Sequence, residues 1–443
     1  MKLINQTARI IALQALLRME KKEGYSNIVL DKALAGSSLG GRDRALASTI
    51  FYGTLERRLT LDYYLHHCFK QPGKRVEPLA MWALRSAAYQ ILFLDRIPAP
   101  AAVNETVDAV KALGQPHLAG FVNGVLRGLL RRKGDITLPT GQDVRGLSLR
   151  YSVPEDLIRL WQESYGDDLT RKLLDSMMER PKTFIRLNTA KGDATQLKAR
   201  LETEGVKLAA LQKLEYAAVI ENCGTPTELT AFKDGLFHVQ DLSAQLVCRL
   251  LSPQPGERIC DCCAAPGGKT FTLAQGAAGG KVYAADLYES RVRLIRSGSK
   301  RLGLENVVPL VHDATKEFEK IPQVDKMLCD VPCSGFGVIR RKPEIRYRDL
   351  DTIKGLPSLQ YAILRQASQK VRPGGMLVYA TCTLNPAENE QVAARFLKEN
   401  NGFTPIKIEL GLEHWHHEPD YMLTMAPFSG ASDGFFAAAF RKL

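Results

Sequence analysis

The stretch Arg258-Ile259-Cys260-Asp261-Cys262-Cys263-Ala264-Ala265-Pro266-Gly267-Gly268-Lys269-Thr270 decides the fold. A short apolar run ends in a small-residue turn with two glycines, and a helical pattern over 269–277 follows. The alternation then repeats. Apolar strands are expected at 258–264, 281–286, 307–312, 326–330 and 376–382, separated by helical patterns at 289–302, 356–371 and 387–399. Strands alternating with helices predict βαβ units and a doubly wound parallel sheet, placing an α/β domain over 236–443. Residues 404–408 and 434–440 are expected to pair antiparallel at one edge.

Upstream, residues 151–235 mix two helical patterns (155–165 and 168–178) with short strands such as 183–187, a small α+β unit. Residues 1–140 read as helix. Ala83, Leu84, Ala87, Ala88, Ile91 and Leu92 recur at spacings of three and four, and breakers at Gly40-Gly41, Gln71-Pro72-Gly73 and Pro98-Ala99-Pro100 divide the pattern into an all-α bundle.

A chain of 443 residues suits such a multidomain division. Apolar residues at 45% and charged residues at 24% exclude a disordered or collagen-like chain. No run of about 18 apolar residues is present, so no membrane partner is expected. Ile10, Ile11, Leu13, Leu16 and Leu17 follow amphipathic-helix spacing rather than forming a leader's apolar core. The nine cysteines are an odd number in a long chain and read as reduced thiols of a cytoplasmic protein. The net charge is +12. Residues 1–150 hold 22 Lys/Arg against 12 Asp/Glu, residues 151–240 hold 12 against 14, and the remainder 26 against 22. Most of the excess therefore lies in the helical third, as for a surface that docks a polyanion.

In open α/β sheets, ligands bind beyond the carboxyl ends of the strands. Gly267 and Gly268 let backbone approach a ligand there, and the next helix offers free N–H groups to a carboxylate or phosphate. A phosphate-binding P-loop requires glycine where Cys263 stands, and no G-x-G-x-x-G is present. Asp286 ends the second strand, roughly 20 residues beyond the glycines, where an acid typically takes ribose hydroxyls. A ligand with ribose and carboxylate but no pyrophosphate is S-adenosylmethionine (SAM). His312-Asp313 is then placed to face its adenine. The plainer alternative is a tight turn with two carboxylates capping helices.

Two cysteines favour the methyl donor. The fourth strand runs into Asp330-Val331-Pro332-Cys333-Ser334-Gly335, and the fifth into Ala380-Thr381-Cys382-Thr383. The topology points both thiols into one crevice. Cytosine C5 is a poor nucleophile, and a thiolate added at C6 makes it enamine-like, able to take a sulfonium methyl. Cys382 has the better setting for the attack. Asn385-Pro386-Ala387-Glu388 reads as an N-cap, a first-turn proline and a capping-box glutamate, so a helix N-terminus is expected to support its thiolate. Cys333 lies three residues from the Asp330 carboxylate, which disfavours a thiolate.

The chain resembles the RNA (cytosine-5) methyltransferases of the NOL1/NOP2/Sun type, and within them the bacterial RsmB/Sun (Fmu-like) ribosomal RNA enzymes. The resemblance covers essentially the whole chain. It rests on residues 264–270, 330–335 and 380–390, on Phe237-His238-Val239-Gln240-Asp241, and on Asp433-Gly434-Phe435-Phe436. Tyr52-Gly53-Thr54-Leu55 and Phe121-Val122-Asn123-Gly124-Val125-Leu126-Arg127 resemble a NusB-like RNA-binding domain. The resemblance implies three domains: NusB-like over 1–140, RRM-like over 151–235, and a Rossmann-like class I SAM methyltransferase over 236–443. It implies that Cys263, Ala264, Ala265, Pro266, Gly267, Gly268 and Lys269 form the SAM loop, that Asp286 binds the ribose, and that Asp313 lies at the adenine. Asp330 is expected to reach both cofactor and base, Cys382 to be the nucleophile, and Cys333 to assist product release. The implied substrate is 16S ribosomal RNA, free or in a partly assembled small subunit, acted on by a monomer. Cys260-Asp261-Cys262-Cys263 departs from the family's pattern, where aliphatics flank the aspartate.

Cys260, Cys262, Cys263 and Cys329 lack a C-x-x-C pair and read as small buried hydrophobes, and no metal is expected. His414, His416 and His417 around Trp415 read as a loop. Arg340, Arg341, Lys342 and Arg346 follow the Cys333 loop, and RNA contact is favoured over a solvated face. Arg131 and Arg132, with Arg57, Arg58, Lys74, Arg75, Arg127 and Lys133, are expected to contact phosphates. Arg186 and Asn188 are explained almost as well by packing. A tRNA (cytosine-5) methyltransferase would share every catalytic residue. A non-catalytic assembly factor is disfavoured by the intact cysteines.

Overall fold

The computed structural model describes residues 6–21, 24–71, 73–211, 214–221, 223–410, 419–428 and 432–443. The histidine loop around Trp415 lies outside them. The chain forms two compact units, one of residues 1–170 with Arg341–Arg348, the other of Arg171–Arg340 with Asp349–Leu443.

The first unit is helical. Its helices are Ala8–Glu20, Ser26–Ala35, Gly41–Glu56, Arg58–His66, Pro78–Phe93, Ala99–Ala112, Ala119–Arg132 and Val144–Tyr151, followed by the start of a long helix broken at Gly166. Ala83, Leu84, Ala87, Ala88 and Ile91 all face its core, as their spacing predicts. Gly53 is required by close helix packing. A Cβ there would lie 1.9 Å from the Tyr89 ring, so no side chain fits where Gly41–Glu56 approaches Pro78–Phe93.

The eight residues Arg341–Arg348 belong to this helical unit, although the linear division assigned them to the catalytic domain. Arg346 is buried and donates to the carbonyls of Glu56 (3.0 Å) and Tyr151 (3.3 Å), the last residues of two helices. A guanidinium there satisfies orphan carbonyls at two negative dipole ends. Tyr347 donates to the Leu55 carbonyl (2.8 Å), with Arg58 stacked over its ring, and the Ser26 N–H donates to Glu344 (2.9 Å). The expectation that Arg346 contacts RNA is thereby corrected, because its charge is spent on buried carbonyls. Arg346→Ala should leave them unpaired and lower the unfolding free energy by about 3 kcal/mol, read as a drop in the urea midpoint of this unit.

The second unit carries two sheets. The smaller joins β1 (Thr183–Leu187), β2 (Lys207–Ala210), β3 (Ala217–Glu221) and β4 (Phe237–Val239) in the order β2-β3-β1-β4, all antiparallel. Buried Asn188 donates to the carbonyls of Gly235 and Leu302, both at 2.8 Å, and Arg186 lies over Tyr216. Packing therefore accounts for both residues.

The larger sheet contains β5 (Arg258–Asp261), β6 (Lys281–Asp286), β7 (Val307–Val311), β8 (Val324–Asp330), β9 (Val371–Thr381), β10 (Phe403–Pro405), β11 (Met422–Met425) and β12 (Phe435–Lys442). Its order is β10-β12-β9-β8-β5-β6-β7, with β11 also on β12. β5 to β9 are parallel, while β10, β11 and β12 are antiparallel. The edge pair expected from the tail is present, extended by β11. Strand order reverses between β5 and β8, which is where a ligand crevice opens in this architecture.

Candidate active site

All strand-end positions singled out in the sequence lie at the carboxyl end of one sheet. Cys263 follows β5, Asp286 ends β6, Asp313 follows β7, Asp330 ends β8 and Cys382 follows β9. The glycine loop turns from β5 into the helix Gly268–Gly276 through a cis Ala265–Pro266 bond. Gly267 sits at φ 113°, and a Cβ on it would lie 2.4 Å from the Phe271 ring, so both conformation and space demand glycine. No side chain caps this helix, so its first-turn N–H groups are left for another acceptor.

Asp286 braces the loop. It accepts from the Ala265 N–H (3.2 Å), and Arg291, 3.5 Å from Asp286, donates to the Ala265 carbonyl (2.9 Å). Asp313 accepts from the hydroxyl (2.7 Å) and N–H (3.0 Å) of Thr315, which hold its carboxyl below the usual range. Sequence reasoning missed Leu287, Tyr288 and Val311. They are 49%, 58% and 49% exposed at the ends of β6 and β7, an apolar shelf beside both aspartates. The available signal was apolar residues persisting past a strand end. It also passed over Asp261, whose carboxyl burial pushes up to about 7 although Thr270 donates to it at 2.7 Å.

Across the strand-order reversal, Lys269 donates to Asp330 at 2.7 Å. Burial alone would lower the Lys269 ammonium, but the Asp330 carboxylate reverses this and raises it above its ordinary value. Lys269 was expected to serve the cofactor loop. The pairing with Asp330 required the fold.

The two sulfurs stand 3.3 Å apart. Their loops are laced together: Gly337 N–H donates to the Cys382 carbonyl (3.0 Å), Ser334 and Thr383 share a hydroxyl hydrogen bond (2.6 Å), and Phe336 N–H donates to Thr383 (3.2 Å). The Cys333 thiol is pushed well up, first by its hydrogen bond with Cys382, then by burial and by the charges of Cys382, Glu388 and Asp330. These causes favour the neutral thiol at Cys333.

The helix expected over 387–399 behind an Asn385 N-cap begins at Glu390. Asn385 instead accepts from the Ala387 N–H (3.2 Å) in a local turn, and the Glu388 carboxylate is used elsewhere. The dipole argument for Cys382 is thereby corrected. The nearby cation is Lys269, whose ammonium is raised further by the Cys382 charge.

Arg340 is also corrected. It is buried and donates to the Ser432 carbonyl instead of facing a solvated groove. Arg341 and Lys342 are half-buried, with Lys342 over the Tyr25 ring at 4.3 Å. The basic run was recruited into packing at separate places: Arg340 at the Ser432 carbonyl, Lys342 on the Tyr25 ring and Arg346 at two helix ends. Cys260, Cys262 and Cys329 are buried in the core. Among the described residues, no three His, Cys, Asp or Glu side chains are grouped to hold a metal, and no helix is long and apolar enough to cross a membrane.

The sheet order, the glycine loop and the strand-end acids define a class I SAM-dependent methyltransferase. Comparison with known proteins narrows the class. Residues 248–441 match the family model of 16S rRNA methyltransferase RsmB/F, 6–131 that of the NusB family, and 153–225 that of the RsmF/B-like ferredoxin-like domain. The chain is 36% identical to the probable ribosomal RNA small subunit methyltransferase B of Bacillus subtilis, over 98% of this chain and 99% of that one. It is 34% identical to the ribosomal RNA small subunit methyltransferase B of Vibrio cholerae, over 90% of each. The crystal structure of PH0851 superposes with a TM-score of 0.86 at 26% identity, over 98% of both chains. The chain belongs to the RsmB family of small-subunit ribosomal RNA methyltransferases.

Proposed function

We propose that this enzyme transfers a methyl group to C5 of one cytosine in 16S rRNA, in the cytoplasm, through a covalent Cys382–C6 adduct. The 3.3 Å pair of thiols beside the Lys269–Asp330 ion pair carries this reading. The residues present fit SAM. The Gly267–Gly268 turn and uncapped helix suit its carboxylate, Asp286 its ribose, and Asp313 with the apolar shelf its adenine. When bound, it supplies the sulfonium methyl.

The chain's own residues do the rest. Lys269 stabilises the Cys382 thiolate, which adds to C6 and places the electron pair at C5. Asp330, held by Lys269, faces the base. After methylation a base removes the C5 proton, the Cys382–C6 bond breaks, and its electron pair returns to sulfur. The Cys333 thiol donates a hydrogen bond to that departing thiolate. The cytosine must be unpaired or flipped out, since C6 is closed to a thiol within a stacked helix. Incubation with labelled SAM and under-methylated 16S rRNA, with tRNA in parallel, should place the label in 5-methylcytidine of the rRNA. Label on adenine, on tRNA alone, or on no RNA rejects the reading.

In the helical unit, Lys70, Lys74, Arg75, Arg131 and Arg132 line an open groove of about 800 Å³, with Glu77 the one acid among the described lining residues. Phe69 and Phe121 stack at its wall (centroids 6.2 Å, planes 19° apart), and Phe121 is 42% exposed. Cations with aromatic faces suit single-stranded RNA. Arg132 also donates to the His67 carbonyl, so Arg131 is the freer choice for a test. Lys74→Ala with Arg131→Ala should reduce the slope of log affinity against log salt by about 1.4, near 0.7 per lost phosphate contact, in a filter-binding titration.

A further inference from the structure

Glu388 has no role in the reading above, yet it is fully buried between the two cysteine loops. On the Cys333 side its carboxylate accepts from the Ser334 N–H (2.8 Å) and the Ser334 hydroxyl (2.5 Å). On the Cys382 side it accepts from Asn385 Nδ2 (2.8 Å). From the helix Leu356–Gln369 it accepts from Gln360 Nε2 (2.9 Å), which also donates to the Pro332 carbonyl (2.9 Å). Four donors on three chain segments thus converge on two oxygens, the full acceptor capacity of a carboxylate. The Tyr379 hydroxyl anchors the Glu388 carbonyl from within β9 (2.5 Å). Pro332 and Ser334 are the two neighbours of Cys333 in the chain, and both are held through this cluster.

A buried carboxylate is costly to desolvate and persists only where its hydrogen bonds are complete. Here they are complete, and they span the loops whose relative position sets the sulfur–sulfur distance. We propose that Glu388 is the positioning residue of the cysteine pair: its carboxylate ties the Cys333 loop to the Cys382 loop and sets the 3.3 Å approach of the sulfurs. It touches neither thiol in any hydrogen bond described above and acts through Ser334 and Asn385. Its negative charge also helps keep Cys333 a thiol, in line with the raised Cys333 value.

The consequence for catalysis rests on the proposed roles of Cys382 and Cys333; the consequence for geometry does not, and the two are measured separately. The geometric probe is disulfide formation by diamide. Two thiols lose two protons and two electrons, the azo bond becomes a hydrazide, and one S–S bond forms. Tryptic mass spectrometry reports the Cys333–Cys382 linkage alone. Glu388→Gln presents an NH2 to donors that need an acceptor, and should slow this linkage by about 10-fold or more in folded protein. It should also lower kcat by about 100-fold, as expected for misplacement near 1 Å, with KM for SAM changed less than about threefold because the SAM loop is untouched. Loss of the charge should further shift the pH dependence of adduct breakdown to lower pH, which loss of packing alone would not do. Ser334→Ala, which removes one of the four donors, should give a smaller slowing in the same direction and serves if Glu388→Gln does not fold. A wild-type linkage rate in either folded variant overturns the proposal. A slowed linkage in an enzyme that forms no RNA adduct upholds the clamp and rejects the covalent mechanism instead.

Discussion

Replacement of Cys382 by alanine should reduce methyl transfer to 16S rRNA by at least about 10,000-fold, the scale on which loss of a covalent nucleophile acts. Cytosine C5 cannot reach a methyl donor's carbon as a nucleophile until C6 has been saturated, and the other sulfur in the site is unsuited to that task. Cys333 stands 3.3 Å from Cys382 but is held as a thiol by its hydrogen bond, its burial and the Glu388 and Asp330 charges. Cys382 has the Lys269 ammonium instead, itself kept charged by Asp330 at 2.7 Å. The assay is transfer of labelled methyl, with SAM binding by calorimetry as the control for an intact cofactor site. Retained activity, or an RNA adduct formed by Cys382→Ala, would reverse the roles of the two cysteines.

Cys333→Ala should fail at the opposite end of the cycle. Attack and methylation remain possible, but the departing Cys382 thiolate loses the donor that accompanies it. Turnover should fall by about 100- to 1,000-fold, within the usual contribution of a positioned acid. Enzyme should then accumulate as a methylated protein–RNA adduct. A denaturing gel shows it as a band of reduced mobility that carries the SAM-derived label and disappears on nuclease treatment. Equal loss of turnover with no such band would place Cys333 before the adduct and remove it from product release.

The site was legible to different depths. The ends of the parallel strands were readable because a strand declares itself within five to seven residues, and the ligand end of such a sheet follows from topology. Lys281–Asp286 and Glu289–Leu302 were expected at their observed bounds. The Asn385-Pro386-Ala387-Glu388 signature misled, because the same residues that cap a helix also serve a turn. Glu388 was drawn 54 residues back to Ser334, and it meets Asn385 through that residue's side-chain amide rather than through the backbone N–H of a capping box. The basic run after the Cys333 loop misled for a like reason. Charge density along a chain does not reveal that Arg346 reaches carbonyls 290 and 195 residues away in sequence.

By itself the sequence determined the three-part organisation, the order of the five parallel strands, the place of the glycine loop and the position of Cys333 and Cys382 after two strand ends. These depend on periodicity, turn chemistry and residue type, all carried by near neighbours. Only the tertiary structure decided that the sulfurs lie in contact, that Lys269 answers Asp330, that Arg340 and Arg346 are buried, and that Glu388 joins two loops. Each of these is a contact between segments brought together by core packing. Its energy depends on desolvation and on distances of a few ångströms, which no local pattern encodes.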